Sequence, residues 1–273
     1  MVLLHTIQEV HKMFETAGSS PLLVTCNDFN DWVCKYDQHS QYLFNEILAA
    51  EFAKFWEIRV PETALITVKE DHIPYEKYPG LSPKLFMKEC FGSRFLKNTV
   101  EVNLSLVPSF REKGFVDKIQ QKNDFLKIAL FDIWLSNEDR NYGNNNLLLF
   151  FGPDNFYFFY AIDHVCIFNS TFLKYEITEL TEDDTLLNTE IAKLLFSNKR
   201  KLTEIVDNLV EKFYLCTKDC EANLDVVLAL MPVSWGIDIQ DIKGKIQQNL
   251  FSDEWKKKCE TTFREYVQSF IVN

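Results

Sequence analysis

The chain has 273 residues, 47% of them hydrophobic with 24 Phe and 10 Tyr, and a net charge of −11. So much apolar surface excludes a disordered chain and suits one large domain or two closely packed lobes. The negative charge excludes a partner held by bulk electrostatics, nucleic acid or an anionic membrane face, but not a nucleotide held in a cleft by a few lysines and a metal ion.

The start, Met1-Val2-Leu3-Leu4-His5-Thr6, turns polar at once and lacks the apolar run of a signal peptide. Residues 21–26 and 31–36 read as two strands around the turn Asn27-Asp28-Phe29-Asn30. A helix follows over 40–55, with Leu43, Phe44, Ile47, Leu48, Phe52 and Phe55 recurring at three and four. Pro61 opens a strand at 63–69. After a loop with Pro74, Pro79, Gly80 and Pro83, the segment Leu85-Phe86-Met87-Lys88-Glu89 reads as a further strand. This is a small sheet carrying one helix.

Beyond residue 123 the pattern turns mostly helical. A helix is expected over 124–136, capped by Asn123 or Asp124. Two strands, 146–151 and 156–162, flank the turn Gly152-Pro153-Asp154-Asn155, whose polar break also keeps this apolar stretch from spanning a bilayer. Helices then follow at 184–197, 199–215, 219–230, 238–249 and 252–271, with Pro232 and Gly236 between the third and fourth. The expected fold is α+β and two-lobed: a small sheet lobe at 1–85, a link at 86–92 and a larger helical lobe at 93–273. The seven cysteines have no zinc-ligand spacing and read as reduced thiols of a cytoplasmic protein.

The chemistry concentrates in Asn137-Glu138-Asp139-Arg140-Asn141-Tyr142-Gly143-Asn144, a loop that joins a helix to an apolar strand. The second strand of that hairpin ends in Ala161-Ile162-Asp163-His164. Phosphoryl transfer needs one carboxylate for the attacking hydroxyl, and an amide oxygen plus a second carboxylate for the cation on the phosphates. Oxygen ligands suit Mg²⁺ rather than zinc. Alone, an Asp-Arg loop is an ordinary turn or cap; with Asn144, Asp163 and the upstream Lys35 in order, a site is the expected reading of Asp139.

The sequence resembles the HipA-like kinases, a branch of the protein-kinase superfamily, and more distantly the phosphatidylinositol kinases. The resemblance is carried by Asn137-Glu138-Asp139-Arg140 with Asn144, by Ile162-Asp163-His164 and by Asn45-Glu46-Ile47-Leu48-Ala49-Ala50. Gly18-Ser19-Ser20-Pro21 and Val33-Cys34-Lys35 extend it. It implies Asp139 as catalytic Asp, Asn144 and Asp163 as metal ligands, and Lys35 on the ATP phosphates with Glu46 orienting it. Glu51 competes for that last role on the same helix. Gly18, Ser19 and Ser20 would line the phosphates, and backbone groups of Phe86, Met87, Lys88, Glu89 and Cys90 would form the adenine hinge. The resemblance thus makes 1–85 the nucleotide-binding lobe and 86–92 its hinge. Arg140 reads as a structural ion-pair partner, and His164 as a packing residue.

One departure is the single glycine in Ala17-Gly18-Ser19-Ser20. Resemblance makes Ser19 or Ser20 a candidate autophosphorylation site, while a plain Gly-Ser-Ser turn is the competing reading. The implied activity is an ATP- and Mg²⁺-dependent Ser/Thr protein kinase. It would have a protein substrate, and an antitoxin or regulatory protein as partner in a toxin-type role. The alternatives are a lipid or small-molecule kinase and a nucleotide-binding pseudokinase.

Overall fold

A computed structural model describes residues 1–16 and 20–273. Gly18 and Ser19 lie outside the described residues. The elements of the first lobe are β1 (Val2–His5), β2 (Lys12–Met13), β3 (Leu22–Thr25), β4 (Asp31–Lys35), α1 (Gln41–Phe55), β5 (Thr63–Thr67) and β6 (Cys90–Arg94). The six strands form one sheet in the order β1-β5-β6-β4-β3-β2, antiparallel except for the parallel pair β1 and β5.

Alternation along the strands gives each face its own core. Cys34 and Cys90 join Leu22, Val24, Trp32 and Ile66 in a core on one face. Phe91, one residue after Cys90, turns to the other face and enters the larger core with α1. That helix is buried along most of its length, packing Phe44, Ile47, Leu48 and Phe52 with Ala49, Ala50 and Ala53, so its apolar residues run well beyond a single stripe.

The second lobe begins with β7 (Thr99–Glu101) and the short helices α2 (Val107–Phe110) and α3 (Lys113–Val116). Then come α4 (Asp124–Leu135), β8 (Leu147–Phe151) and β9 (Tyr157–Ala161). Strands β7, β8 and β9 pair antiparallel in a three-stranded sheet. The remainder is α5 (Glu190–Leu195), α6 (Leu202–Ala222), α7 (Leu224–Leu228), α8 (Ile239–Leu250) and α9 (Asp253–Tyr266). The architecture is thus α+β, a sheet-bearing lobe followed by a mostly helical one. No helix among the described residues is long and apolar enough to cross a membrane.

Aromatic packing fixes α1 against α4. Trp134 of α4 stands with its ring 5.5 Å from both Phe52 and Trp56. Its indole N–H donates to the Leu250 carbonyl at 2.9 Å, and the Trp255 N–H donates to the Trp134 carbonyl at 2.9 Å. A buried indole without an acceptor would cost about 1–3 kcal/mol, so these two bonds fix how α4 lies on α8 and α9.

Two expectations fail here. The segment read as a strand at 85–89 opens in a single helical turn, Pro83–Phe86, and the strand begins only at Cys90. Pro83 at the start of that turn has the fixed φ and missing N–H that favour a helical first residue over a strand. The expected link at 86–92 therefore does not join the lobes, because Cys90, Phe91 and Gly92 lie inside β6 of the first sheet. The chain leaves that sheet after Arg94 and enters the second at Thr99, so residues 95–98 make the crossing.

Candidate active site

Lys35 ends β4 opposite Phe91 of β6, on the face that α1 covers. Its ammonium bonds Glu46 Oε1 of α1, and Asp163 Oδ1 at 2.7 Å. The other carboxylate oxygen of Glu46 accepts the backbone N–H of His164 at 3.1 Å. Lys35 and Glu46 are buried, whereas the Asp163 side chain is 36% exposed and opens the cluster to solvent. Glu51 pairs instead with Lys54 on the same helix.

Opposed effects set these charges. Burial alone would push the Lys35 ammonium down, yet the carboxylates of Glu46 and Asp163 outweigh it and hold the lysine above its ordinary range. Burial would push the Glu46 carboxyl up, yet the Lys35 charge and the bonding to His164 hold it well below. Burial, together with the Arg140 charge, pushes the His164 imidazole down.

The second group is organised by the end of α4. Ser136 caps that helix in the left-handed region with φ 49°, and the Asn137 N–H reaches back to the Asp132 carbonyl at 2.9 Å. The chain then turns sharply into the Asp139 loop. Asn141 steadies the turn by accepting the N–H groups of Gly143 at 2.9 Å and Asn144 at 3.2 Å. Asp139 Oδ2 in turn accepts the side-chain amides of Asn144 at 3.0 Å and Asn146 at 3.1 Å.

Asp163 has φ 56°, a left-handed backbone that costs an ordinary residue about 1–3 kcal/mol. The bonds of Lys35 to its carboxylate and of the His164 N–H to Glu46 hold it there.

The donor chemistry fits a hard divalent cation. Asn144 uses its amide NH₂ on Asp139, which leaves its amide oxygen for a cation, and Lys35 engages Asp163 through Oδ1. Among the described residues no three His, Cys, Asp or Glu side chains form a metal cluster. A cation here would need the Asn144 oxygen and those of a bound phosphate.

Ser20, the described part of the expected phosphate loop, has φ 44°, and its carbonyl accepts the Tyr36 hydroxyl at 3.0 Å. The expected hinge residues lie elsewhere. Phe86 is buried against the Tyr36 ring, and Met87 is exposed. Lys88 and Glu89 meet the second lobe at residues 234–235, where the Trp235 indole donates to the Glu89 carbonyl at 2.9 Å. Cavities of about 400 and 450 Å³ open beside the first turn of α1 and at the α1–β5 connection. Neither is lined by Lys35, Asp139 or Asp163.

The sequence reading gave no role to three residues: Asn146, Asn137 and Asp132. Asn146 is one of three consecutive asparagines, and composition does not reveal which of them touches Asp139. Asp132 did carry a signal, as a carboxylate flanked by Phe131 and Ile133 in an apolar helix must find a partner. It finds Arg140 and Asn137.

A family model described as HipA-like kinase matches residues 7–266. The chain is also similar in structure to a crystal structure of a Helicobacter pylori proinflammatory kinase, CtkA. The TM-score is 0.55 at 16% identity, covering 97% of this chain and 98% of that one. No protein of curated function matches the chain in sequence.

Proposed function

Because the chain belongs to the HipA-like kinase family, we propose that it transfers the γ-phosphate of ATP, with Mg²⁺, to a Ser or Thr hydroxyl on a protein. The observation that carries this reading is the arrangement of Lys35, Glu46 and Asp163 around one ammonium, with Asp139 and Asn144 bonded to each other on the adjoining loop.

Each side chain then has a task. Lys35, kept charged by its two carboxylates, binds the α- and β-phosphates, and Glu46 aims it. Asp139, oriented by Asn144 and Asn146 on one oxygen, keeps the other for the acceptor hydroxyl and takes its proton. Asn144 and Asp163 would hold the metal, which when bound supplies charge neutralisation along the phosphates. The backbone of 95–98, where the chain passes between the sheets, would meet the adenine edge. Gly18, Ser19 and Ser20 would cover the phosphates. The family resemblance supports a phosphorylatable serine there, and an antitoxin or regulatory protein as partner.

Incubation with labelled ATP and Mg²⁺ tests the reading. Autophosphorylation or labelling of an added protein is expected, and should vanish in Asp139→Ala. Label of equal intensity in the variant would refute the assignment. Transfer to phosphoinositide vesicles or a small-molecule alcohol but to no protein would move the function to the lipid-type class. Nucleotide-induced thermal stabilisation with no transfer to any acceptor would make the chain a pseudokinase.

A further inference from the structure

Between the two halves of the site lies one charged side chain with no exposed surface, Arg140. Its guanidinium bonds the Asp132 carboxylate of α4, the Ile162 carbonyl at 2.6 Å, and the Asn146 carbonyl at 3.4 Å. Each partner adjoins a proposed working group. Arg140 follows Asp139, Ile162 precedes Asp163, and Asn146 holds the Asp139 carboxylate. We infer that Arg140 is the positioning residue of this site: one buried guanidinium, anchored by Asp132, fixes the Asp139 loop to the backbone that presents Asp163. This rests on the kinase reading above.

Stability gives a poor account of the pair. Asp132 Oδ2 and Asn137 Oδ1 are buried with no hydrogen-bond partner, and removing two charges from water is repaid only when such atoms are satisfied. Even beside Arg140, burial pushes the Asp132 carboxyl up to about 6. Apolar side chains could fill the same space without burying two charges, but they could not bond the carbonyls of Ile162 and Asn146. Those carbonyls are the link between Asp139 and Asp163.

That difference makes the inference testable. The double variant Asp132→Leu with Arg140→Met removes both buried charges together, the replacement that ordinarily leaves stability unchanged or improved. We expect its melting temperature to stay within a few degrees of the wild type's, the removal of two buried charges offsetting the bonds lost at Asn137, Ile162 and Asn146. Its turnover should fall on the order of 100-fold, the scale of a small misplacement of reacting groups. The Mg²⁺ concentration for half-maximal ADP affinity should rise about tenfold, as for the loss of an outer support of a metal site, while ADP affinity without metal stays unchanged.

Arg140→Lys keeps the charge but loses the fork, and should show the same two losses in smaller measure. It decides the question if the double variant gives no cooperative melt. Wild-type turnover and metal requirement in a folded double variant would overturn the inference, as would equal losses of metal-free and metal-dependent affinity. A wild type without transfer leaves the metal-dependent ADP affinity to decide. A wild type that binds no nucleotide would refute the kinase reading itself, visible before any variant is compared.

Discussion

The ammonium of Lys35 stands 2.7 Å from Asp163 Oδ1, so the carboxylate proposed to hold a metal already has a cation of its own. On the proposed reading, Mg²⁺ alone would have to compete with a positive charge fixed by Glu46, whereas ATP would offer Lys35 phosphate oxygens and free Asp163. A nucleotide at about a hundredfold excess over its dissociation constant adds about 2.7 kcal/mol of stability, on the order of 5 °C for a chain of this size. Thermal shift measurements should show that rise with Mg²⁺ and ATP together, and less than about 1 °C with Mg²⁺ alone. Equal shifts from metal alone would mean that Asp163 is free to ligate without nucleotide.

Glu46 should be read through stability as well as activity. Its side chain is buried against the Lys35 ammonium, and removing it leaves that buried charge with the partly exposed Asp163 as its remaining carboxylate. Glu46→Ala is expected to cost about 3 kcal/mol in urea unfolding, and Glu46→Gln less. The folded carboxyl titrates below its ordinary value of about 4.3, so its contribution is in place above that pH and is lost as pH falls towards the folded value. The stability gap between wild type and Glu46→Gln should therefore be widest near neutrality and shrink below about pH 4. A gap that stays constant down to pH 3 would contradict the pairing.

The parts of this site that are local in sequence were legible, and those that depend on distant contacts were not. Asp139 and Asn144 share one loop, so spacing was enough to pair them, while Asp163, one hairpin later, bonds Lys35 of the first lobe. The strand β6 was misplaced because Cys90-Phe91-Gly92-Ser93-Arg94 lacks a β-rich pattern. Its glycine is explained only by the neighbouring strand: a Cβ on Gly92 would lie 2.8 Å from Ile66 Cγ1. The edge strand β1 was missed for a similar reason, since it pairs with β5 across about sixty residues of sequence. The helix pattern broken at 215–219 is continuous to Ala222, where Thr217 is buried with its hydroxyl bonded to the Tyr214 carbonyl at 3.2 Å. A polar residue that satisfies itself within the helix leaves no break.

Asn146 offers a direct test of how Asp139 is oriented. Its amide donates to Asp139 Oδ2 at 3.1 Å, and its backbone sits at φ 45°. Asn146→Gly keeps that backbone available, relieving the left-handed strain that Asn146→Ala would retain, and removes only the amide. The expected result is a fall in kcat of about tenfold from lost orientation, with the KM for ATP unchanged and the melting temperature within a few degrees. A raised KM with normal kcat would place Asn146 in nucleotide binding instead.

The buried pair of Asp132 and Arg140 should also leave a pH signature. The folded Asp132 carboxyl is pushed up to about 6 by burial, against an unfolded value of about 3.9. A carboxyl whose folded value is raised favours folding at low pH, where it is protonated, and that contribution is lost as pH rises through the interval. At 1.36 kcal/mol for each pH unit, the loss amounts to about 3 kcal/mol between pH 4 and 6. The double variant Asp132→Leu with Arg140→Met carries no such group. Its stability relative to the wild type should therefore climb by about that amount from pH 4 to 6 and level off above. Urea unfolding of both proteins at half-unit steps measures the difference. A relative stability that is flat through this window, or that falls, would mean that Asp132 keeps its charge without penalty in the folded chain.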